Sequence, residues 1–464
     1  MGKFMAASSA KKWWKNAIIY QIYPRTFCDS NGDNIGDIPG IISKLHYLKE
    51  LGVDVIALGP IFPSPRHDSG YDTSDFRAID PDLGTMEDLE RLLSRAKRVG
   101  IKVMMDMCIA STSDEHWWFK KALEGDEKYI NYYYLSAYKR NNWRGLRSRS
   151  AWNKAENGQW YLSIMGKNQP DLNWSNPDVY EEIADAMRFW LDKGIAGFRL
   201  DTMNIIYKNS MADGGFNIFV KGGEHYLYTK GCRDIIKRLN KDVWSKYKCF
   251  VIGEGTSIFP DDSKHFCEDG LDAIFFCGRI DSESKKVQKL QARRNNRKLI
   301  KLVDKGQHTL ETPINYVETG DSTSFAKYFG NDKVNCLNFA KVYTGMHLSL
   351  VGIPFINDGE YCRDPKVEED PTSLYTFTSK MIEFRKNSKA LSEGVYHRVA
   401  APYDVLIFTR EAKEERLYVY CNLTPSRRQV EFYGDRIVFS TYDLDSAEPF
   451  FLKPYEFRII ASNI

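Results

Sequence analysis

Long apolar runs are absent from this sequence. No window of the 464 residues approaches the roughly 20 consecutive apolar residues that span a bilayer. The first ten residues also lack the apolar centre that a secretion signal carries. We therefore expect a soluble protein that is not exported and has no membrane partner.

A large excess of one charge is also absent. Lysine and arginine number 65 against 62 aspartates and glutamates, so the formal net charge is only +3. Binding to a phosphate backbone requires a strongly basic surface. The charge balance therefore argues against nucleic acid as a partner.

Closely spaced cysteines are missing as well. The nine cysteines are an odd number and are scattered along the chain, which is typical of free thiols in a reducing compartment. We therefore predict a cytoplasmic protein without a disulfide framework. No internal repeat or low-complexity tract appears, and the sequence leaves the oligomeric state open.

Short apolar strands alternate with helical patterns through most of the chain. This alternation is typical of parallel strands joined by right-handed crossovers. Eight such strands predict a closed (β/α)8 TIM barrel, an α/β fold built from residues 1–109 and 175–386. The predicted strands are residues 17–24, 53–58, 101–107, 197–201, 250–253, 272–276, 314–317 and 348–356.

Two regions depart from the alternation. Residues 110–174 are polar, rich in tyrosine and tryptophan, and too long for an ordinary connection, so they predict a subdomain inserted after strand 3. From residue 387 onward the pattern changes to short strands of alternating polarity. That change predicts a C-terminal antiparallel β-sandwich domain over residues 387–464.

Three acids follow predicted barrel strands, at the strand ends where barrel enzymes carry their chemistry. Asp201 ends strand four, Glu254 follows strand five and Asp321 follows strand seven. Acids on neighbouring strands could lie about 5–5.5 Å apart, which is the separation found in retaining glycosidases. For each acid alone, helix capping or a surface salt bridge is the alternative.

The local sequence suggests different roles for these acids. Alternation along Gly197-Phe198-Arg199-Leu200-Asp201 places Arg199 and Asp201 on one strand face, and this pairing should keep Asp201 ionised as the nucleophile. Desolvation and like charge should keep a proton on Glu254, the predicted general acid and base. Asp321 would then hydrogen-bond sugar hydroxyls.

Motifs over nearly the whole chain support a family resemblance. They include Ala17-Ile18-Ile19-Tyr20-Gln21-Ile22-Tyr23-Pro24, Gly70-Tyr71-Asp72, Gln169-Pro170-Asp171-Leu172-Asn173-Trp174 and Gly197-Phe198-Arg199-Leu200-Asp201. The sequence resembles glycoside hydrolase family 13, the α-amylase family, and within it the oligo-1,6-glucosidase group. This resemblance implies the same roles for the three acids, and it implies substrate contacts by Tyr71, Asp72 and Arg199.

The sequence also departs from that family at sugar-contacting positions. Ser111 stands where the family has a histidine after strand three, and Gly320 stands where it has another before the third acid. After strand eight, the long segment with an arginine partner for Asp72 is missing. We take Ser111 and Gly320 as substrate-binding positions of a rebuilt pocket.

These features together predict a retaining α-glycosidase that cleaves short α-linked oligosaccharides or glycosides. The departures indicate a non-standard sugar in the subsite where the covalent intermediate forms. A transglycosylase or isomerase of the same family is one alternative, and a catalytically inactive sugar-binding relative is the other.

An acidic loop near the start of the chain predicts a metal site. Oxygen donors alternate as in an EF-hand loop, with side chains at Asp29, Asn31, Asp33 and Asp37 and the carbonyl of Ile35 between them. Asn34 replaces the usual glycine but tolerates a left-handed turn, and the closing glutamate is absent. Related glucosidases hold calcium here, so the resemblance favours a structural Ca²⁺. An acidic turn without metal is the alternative.

A basic run lies within the predicted insertion. Its residues are Lys139, Arg140, Arg144, Arg147 and Arg149. Such a run is typical of a solvated loop face, and the alternative is contact with an anionic substrate at the cleft.

Overall fold

The structure is a computed structural model. It describes residues 13–215, 220–255, 260–275, 296–310, 312–316, 332–357, 370 and 372–462. Two residues of the predicted site, Gly320 and Asp321, lie outside the described residues.

The first eleven strands form a barrel and a small inserted sheet. They are β1 (Ile19–Ile22), β2 (Val55–Leu58), β3 (Lys102–Cys108), β4 (Leu135–Ser136), β5 (Trp152–Lys154), β6 (Trp160–Leu162), β7 (Gly197–Asp201), β8 (Phe250–Gly253), β9 (Ala273–Phe275), β10 (Pro313–Tyr316) and β11 (Ile353–Asn357). Eight of them close into a barrel in the order β1-β11-β10-β9-β8-β7-β3-β2. The predicted (β/α)8 fold is therefore confirmed.

Helices occupy most connections between the barrel strands. They are α1 (Pro24–Phe27), α2 (Ile38–Ser43), α3 (Leu45–Leu51), α4 (Met86–Arg98), α5 (Trp117–Glu124), α6 (Pro177–Lys193), α7 (Gly223–Tyr226), α8 (Lys230–Leu239), α9 (Ser245–Tyr247), α10 (Pro260–Asp269), α11 (Asn296–Thr309), α12 (Lys333–Ser349), α13 (Leu374–Asn387) and α14 (Lys389–Glu393). Helix α12 extends to Ser349, so the last barrel strand begins at Ile353 rather than at residue 348 as predicted.

Helix α6 shows how the sequence delivers the strand that carries Asp201. The side chain of Asn176 caps the helix by accepting the backbone N–H of Asp178, and Pro177 occupies the first turn. Gly194 ends the helix with φ +103°, a conformation that costs glycine little. The chain then enters β7 at Gly197, two residues beyond Ile195.

The chain forms two compact units. One comprises Gln21–Lys49 and Ile56–Arg279, and it includes β2, β3, β7, β8 and β9 together with the inserted sheet. The other comprises Met1–Tyr20, Glu50–Val55 and Ile280–Ile464, and it includes β10, β11 and the C-terminal strands. The described residues of the candidate site lie in the first unit.

The insertion after β3 contains a three-stranded antiparallel sheet in the order β4-β6-β5. Trp143 and Trp152 of the insertion are at most 1% exposed, whereas Trp117 is 43% exposed. The indole of Trp152 donates to Asn141 Oδ1 at 2.8 Å, and that of Trp174 donates to the carbonyl of Ile109 at 2.8 Å. Trp143, Trp152 and Trp174 therefore belong to the core of the insertion, whose limits at residues 110 and 174 stay predictions.

The C-terminal strands form two antiparallel sheets. They are β12 (Val395–Val399), β13 (Val405–Ala412), β14 (Glu415–Asn422), β15 (Arg428–Gln429), β16 (Arg436–Ser440), β17 (Phe451–Leu452) and β18 (Phe457–Ser462). Five strands pair in the order β12-β13-β14-β18-β16, and β15 pairs with β17. Val405, Ile407, Tyr420, Val430, Leu452 and Ile460 form one core from both sheets. The predicted C-terminal β domain is therefore confirmed.

Two expectations drawn from absences can be compared with the described part of the chain. Every cysteine there is a free thiol, as the cysteine spacing predicted. Among the same residues, no helix is both long enough and apolar enough to cross a bilayer.

Candidate active site

The end of β7 meets the ends of β3 and β8. Arg199 lies opposite Asp106 of β3, and Asp201 lies opposite Cys108. On the other side, β7 pairs with β8, which leads directly into Glu254. Since parallel strands end at the same edge of a barrel, these side chains gather at one mouth.

Backbone hydrogen bonds fix the segments around the two acids against each other. The N–H of Glu254 donates to the carbonyl of Leu200 at 2.8 Å, and the N–H of Met203 donates to the carbonyl of Glu254 at 3.2 Å. A Cβ on Gly197 would lie 1.7 Å from the carbonyl oxygen of Phe250, so only glycine permits this strand approach. The relative position of Asp201 and Glu254 is therefore set by backbone rather than by flexible side chains.

Arg199 is the centre of a buried network. Its Nε donates to Glu254 Oε2 at 3.0 Å, and its guanidinium forms an ion pair with each of Glu254 and Asp106. The hydroxyl of Tyr71 donates to Asp106 Oδ2 at 3.0 Å and accepts from Arg199 at 3.1 Å. All three charged residues are buried, with at most 8% of their surface exposed. Removing one partner would leave an uncompensated buried charge, which is costly.

This network corrects the predicted partner of Arg199. The guanidinium reaches across to the neighbouring strands, so it pairs with Glu254 and Asp106 instead of with Asp201. Burial, and next the negative charge of Glu254, raise the pKa of Asp201 to about 7. Arg199 lowers this pKa, but burial and Glu254 outweigh it, so the structure does not favour the fully ionised Asp201 that the sequence predicted.

Asp106 is a member of the site that the sequence interpretation missed. It lies in the apolar run Met104-Met105-Asp106-Met107 of β3 and is 2% exposed. It accepts from Arg199, Tyr71 and Gln21, yet its Oδ1 has no hydrogen-bond partner within the described part of the chain. Burial raises its pKa to about 6. A lone carboxylate inside a buried strand was the available signal.

Two other predicted sugar-contacting residues, Asp72 and Ser111, are not part of the Arg199 network. Asp72 has no exposed surface, and its carboxylate accepts from Ser64 Oγ at 2.8 Å and from the backbone of His67 and Asp68 at 2.8 and 3.1 Å. In this structure it therefore holds the loop after β2. Ser111 is also fully buried, and its backbone forms a bridge with Asp171. Either side chain would have to move before it could contact a sugar.

Thr202, which follows Asp201, has a strained backbone. Its φ of +50° and ψ of +28° lie in the left-handed region, which β-branched residues rarely adopt. The residue is 5% exposed, and its carbonyl accepts the N–H of Ile205 at 3.2 Å. Such strain costs roughly 1–3 kcal/mol and is typical of functional sites, where the surrounding structure enforces it.

A buried ion pair secures the segment that follows. Lys208 Nζ donates to Asp171 Oδ1 at 2.7 Å and to the carbonyl of Ile205 at 3.0 Å, and neither charged side chain is more than 1% exposed. Asp171 Oδ2 accepts the backbone N–H of Ile164 at 2.5 Å. The pair therefore connects the inserted segment to the turn immediately after Asp201.

The predicted calcium loop is shaped by its own hydrogen bonds. Asp29 accepts the backbone N–H groups of Asn31, Gly32 and Asn34 at 2.7–3.0 Å, which lowers its pKa, chiefly through Gly32. Asp33 accepts from Ile35, and Asp37 caps α2 by accepting from Gly40. Asn34 adopts φ +67°, which confirms the predicted left-handed turn.

One observation favours cation binding by these residues, and another argues against it. The side-chain oxygens alternate along the loop, and Asp29 is held in its ionised form without a proton to release on binding. However, no group of three histidine, cysteine, aspartate or glutamate side chains in the described part of the chain is placed to hold a metal. The calcium site therefore stays a prediction.

The chain is similar in sequence to known proteins. Residues 21–364 match the family model described as alpha amylase, catalytic domain. The oligo-1,6-glucosidase of Parageobacillus thermoglucosidasius is 36% identical over 410 residues, which cover 83% of this chain and 73% of that protein.

Solved structures are similar over almost the whole chain. The trehalose-6-phosphate hydrolase of Bacillus licheniformis has a TM-score of 0.89 and 27% identity, and the match covers 97% of this chain and 100% of that one. The isomaltulose synthase of Klebsiella sp. LX3 has a TM-score of 0.88 and 26% identity, with coverage of 97% and 99%.

Proposed function

Because this chain belongs to the α-amylase family of glycoside hydrolases, we propose that it is a retaining α-glucosidase that cleaves short α-linked oligosaccharides. The observation that carries the proposal is the junction of β7 and β8. There, backbone bonds and Arg199 hold the segments of Asp201 and Glu254 at one barrel mouth. The oligo-1,6-glucosidase relative supports an α-linked glucoside as the substrate class.

The two acids would act in two steps. In the first, Glu254 donates a proton to the leaving oxygen while the carboxylate of Asp201 forms a bond to the anomeric carbon and the glycosidic bond breaks. In the second, Glu254 takes a proton from water, the water oxygen attacks the anomeric carbon, and Asp201 is released. Two inversions at one carbon give net retention.

The first step needs a proton on Glu254 and an ionised Asp201. Burial and then the charge of Glu254 raise the pKa of Asp201, which opposes this arrangement. The two acids interact, so the reactive arrangement is one of the forms in which they share a single proton. Asp321 keeps its predicted role toward sugar hydroxyls, and it lies outside the described residues.

The identity of the sugar is a separate part of the proposal. We propose that the subsite of the covalent intermediate accepts a sugar other than unmodified glucose, because Ser111 and Gly320 replace two family histidines. Each lost hydrogen bond to a sugar hydroxyl is worth about 0.5–1.5 kcal/mol, and more where the donor is charged, so ordinary glucosides should react slowly. A panel of α-linked disaccharides and aryl glycosides would identify the preferred sugar.

A phosphorylated disaccharide is a second candidate substrate. The exposed Arg147 forms an ion pair with Asp68, whose negative charge in turn contributes to raising the pKa of Asp201. Arg147 is therefore linked to the candidate site through Asp68, and a structural neighbour is a trehalose-6-phosphate hydrolase. A kcat/KM for trehalose 6-phosphate at least tenfold above that for trehalose would favour this candidate.

The stereochemistry of the product tests the main proposal. Proton NMR during early turnover of isomaltose or an aryl α-glucoside should show the α-anomer of the released sugar before mutarotation. A β-anomer would contradict a retaining mechanism. A rearranged disaccharide would indicate an isomerase, and sugar binding without any product would indicate an inactive relative.

Two further properties accompany the proposal. We propose a structural Ca²⁺ in the loop from Asp29 to Asp37, supported by the spacing of its oxygen donors and by the ionised state of Asp29. We also propose a cytoplasmic location, supported by the free cysteines of the described residues.

A further inference from the structure

Two arginines of the unit that includes the C-terminal strands are buried without a carboxylate partner among the described residues. Arg385 near the end of α13 is 2% exposed, and Arg410 of β13 is 1% exposed. Arg385 donates to the carbonyls of Leu348, Leu350 and Gly352 at 2.6, 3.0 and 2.8 Å. Arg410 donates to the carbonyls of Ser349, Leu391 and Gly394 at 2.6–3.2 Å.

These contacts give the N–H groups of Arg385 and Arg410 hydrogen-bond acceptors, but they do not neutralise the two positive charges. The carbonyls at the end of α12 carry partial negative charge, which offsets only part of a full positive charge. Burial lowers the pKa of Arg385 to about 10. For Arg410, burial and then the positive charge of Arg385 lower the pKa. Two buried like charges therefore lie close together, and an anion beside them would relieve their repulsion.

A cavity of about 160 Å³ adjoins Arg385. Its lining residues are Asn16, Arg385, Lys386, Lys389, Ser392 and Glu393. The volume is about ten times the roughly 10–15 Å³ that admits one water molecule. Three of these side chains are cationic and one is acidic. Lys386 already pairs with Asp54 at 2.7 Å, whereas Lys389 is exposed at the rim.

We propose that this cavity binds a phosphate group, carried either by inorganic phosphate or by a sugar phosphate. The planar guanidinium suits tetrahedral oxyanions, and the three carbonyl bonds of Arg385 use three of its five N–H groups. Lys389 supplies a second charge. The cavity shares no residue with the candidate active site, so the proposal does not depend on the proposed function.

Thermal denaturation with phosphate titrated at constant ionic strength tests this site. Phosphate should raise the Tm of the full chain in a saturable manner, because binding to the folded state alone stabilises it. Lys389→Gln should raise the apparent Kd for phosphate about tenfold, which is the effect of losing one charge-assisted contact. Lys380→Gln is the matched control, since Lys380 is exposed on α13, the helix of Arg385, and does not line the cavity.

A parallel titration with glucose 6-phosphate identifies the source of the phosphate. Tighter binding of glucose 6-phosphate than of inorganic phosphate would indicate a sugar phosphate, and equal or weaker binding would indicate free phosphate. Both results support the site if Lys389→Gln weakens the binding of these ligands and Lys380→Gln does not. A Tm that rises no more than in chloride would overturn the proposal, and so would an equal response in wild type and Lys389→Gln.

Discussion

The guanidinium of Arg199 is bonded to Glu254, with Nε 3.0 Å from Oε2, and not to Asp201 on its own strand. The same guanidinium forms an ion pair with Glu254, while burial and then the charge of Glu254 raise the pKa of Asp201 to about 7. The raised pKa of Asp201 therefore opposes the ionised form of this residue that the first chemical step needs.

Asp201→Asn should stabilise the protein at high pH. The folded-state pKa of about 7 lies above the ordinary value of 3.8, so the folded protein keeps a proton that the unfolded chain loses. Stability from this group is therefore present below about pH 4 and is lost as the pH rises through about 7. Asn cannot ionise, so the variant should exceed wild type in Tm by at least about 2 °C at pH 8 and match it near pH 4. Thermal denaturation at the two pH values measures the difference.

Glu254→Gln is the matched control for that measurement. Gln cannot form an ion pair with Arg199, so the variant should lose stability at pH 8, the opposite sign from Asp201→Asn. If both variants change the Tm in the same direction at pH 8, the raised pKa of Asp201 is wrong.

Asp106→Asn should change both the rate and its pH dependence. Asp106 accepts from Arg199 and Tyr71, and loss of a buried charged acceptor should lower kcat/KM by about 10–100-fold. The charge of Asp106 contributes to raising the pKa of Asp201, so its removal should lower that pKa. The acidic limb of the profile of kcat/KM against pH should therefore move to lower pH. An unchanged profile would place Asp106 outside the electrostatics of the site.

Lys208→Met should destabilise the protein strongly. It leaves the buried carboxylate of Asp171 without its cation, and breaking a buried pair in this way costs about 3–5 kcal/mol. Denaturant unfolding measures the loss, and a second substitution, Asp171→Asn, should recover part of it. Lys230→Met is the control, because the pair of Lys230 with Asp234 is largely exposed and should be worth less than about 1 kcal/mol. An equal loss of unfolding free energy in the two lysine variants would show that the buried ion pair of Lys208 with Asp171 does not stabilise the protein more than an exposed pair does.

Calcium should stabilise the loop from Asp29 to Asp37. Chelation with EDTA should lower the Tm, added Ca²⁺ should restore it, and Asp33→Asn should reduce the response because it removes a carboxylate ligand. The loop already satisfies Asp29 and Asp33 through its own backbone N–H groups. A Tm that is indifferent to both EDTA and Ca²⁺ would mean that these hydrogen bonds suffice and that the loop is an acidic turn without metal.

The barrel was predictable because its strands are short apolar segments in regular alternation with helices. The ends of such strands meet by geometry, so the gathering of Asp201 and Glu254 at one edge followed from their positions in the sequence. The sequence did not predict which neighbouring strand the Arg199 side chain reaches. Periodicity gives the face on which a side chain lies, but a long guanidinium can reach either neighbouring strand, and tertiary contacts decide between them.

Two other features could not be predicted from the sequence, for related reasons. Asp106 is surrounded by methionines, so no pattern distinguished it from a structural acid in a buried strand. Lys208 and Asp171 are 37 residues apart, and only the fold brings them together.

Covalent trapping tests the central claim most directly, namely that Asp201 attacks an anomeric carbon while Glu254 supplies the proton. The enzyme would be inactivated with a panel of fluorinated α-glycosyl fluorides, digested, and the labelled peptide sequenced by mass spectrometry. We predict a glycosyl ester on Asp201 in wild type and none in Asp201→Asn. A label on a different residue, or full turnover of substrate by Asp201→Asn, would contradict the account.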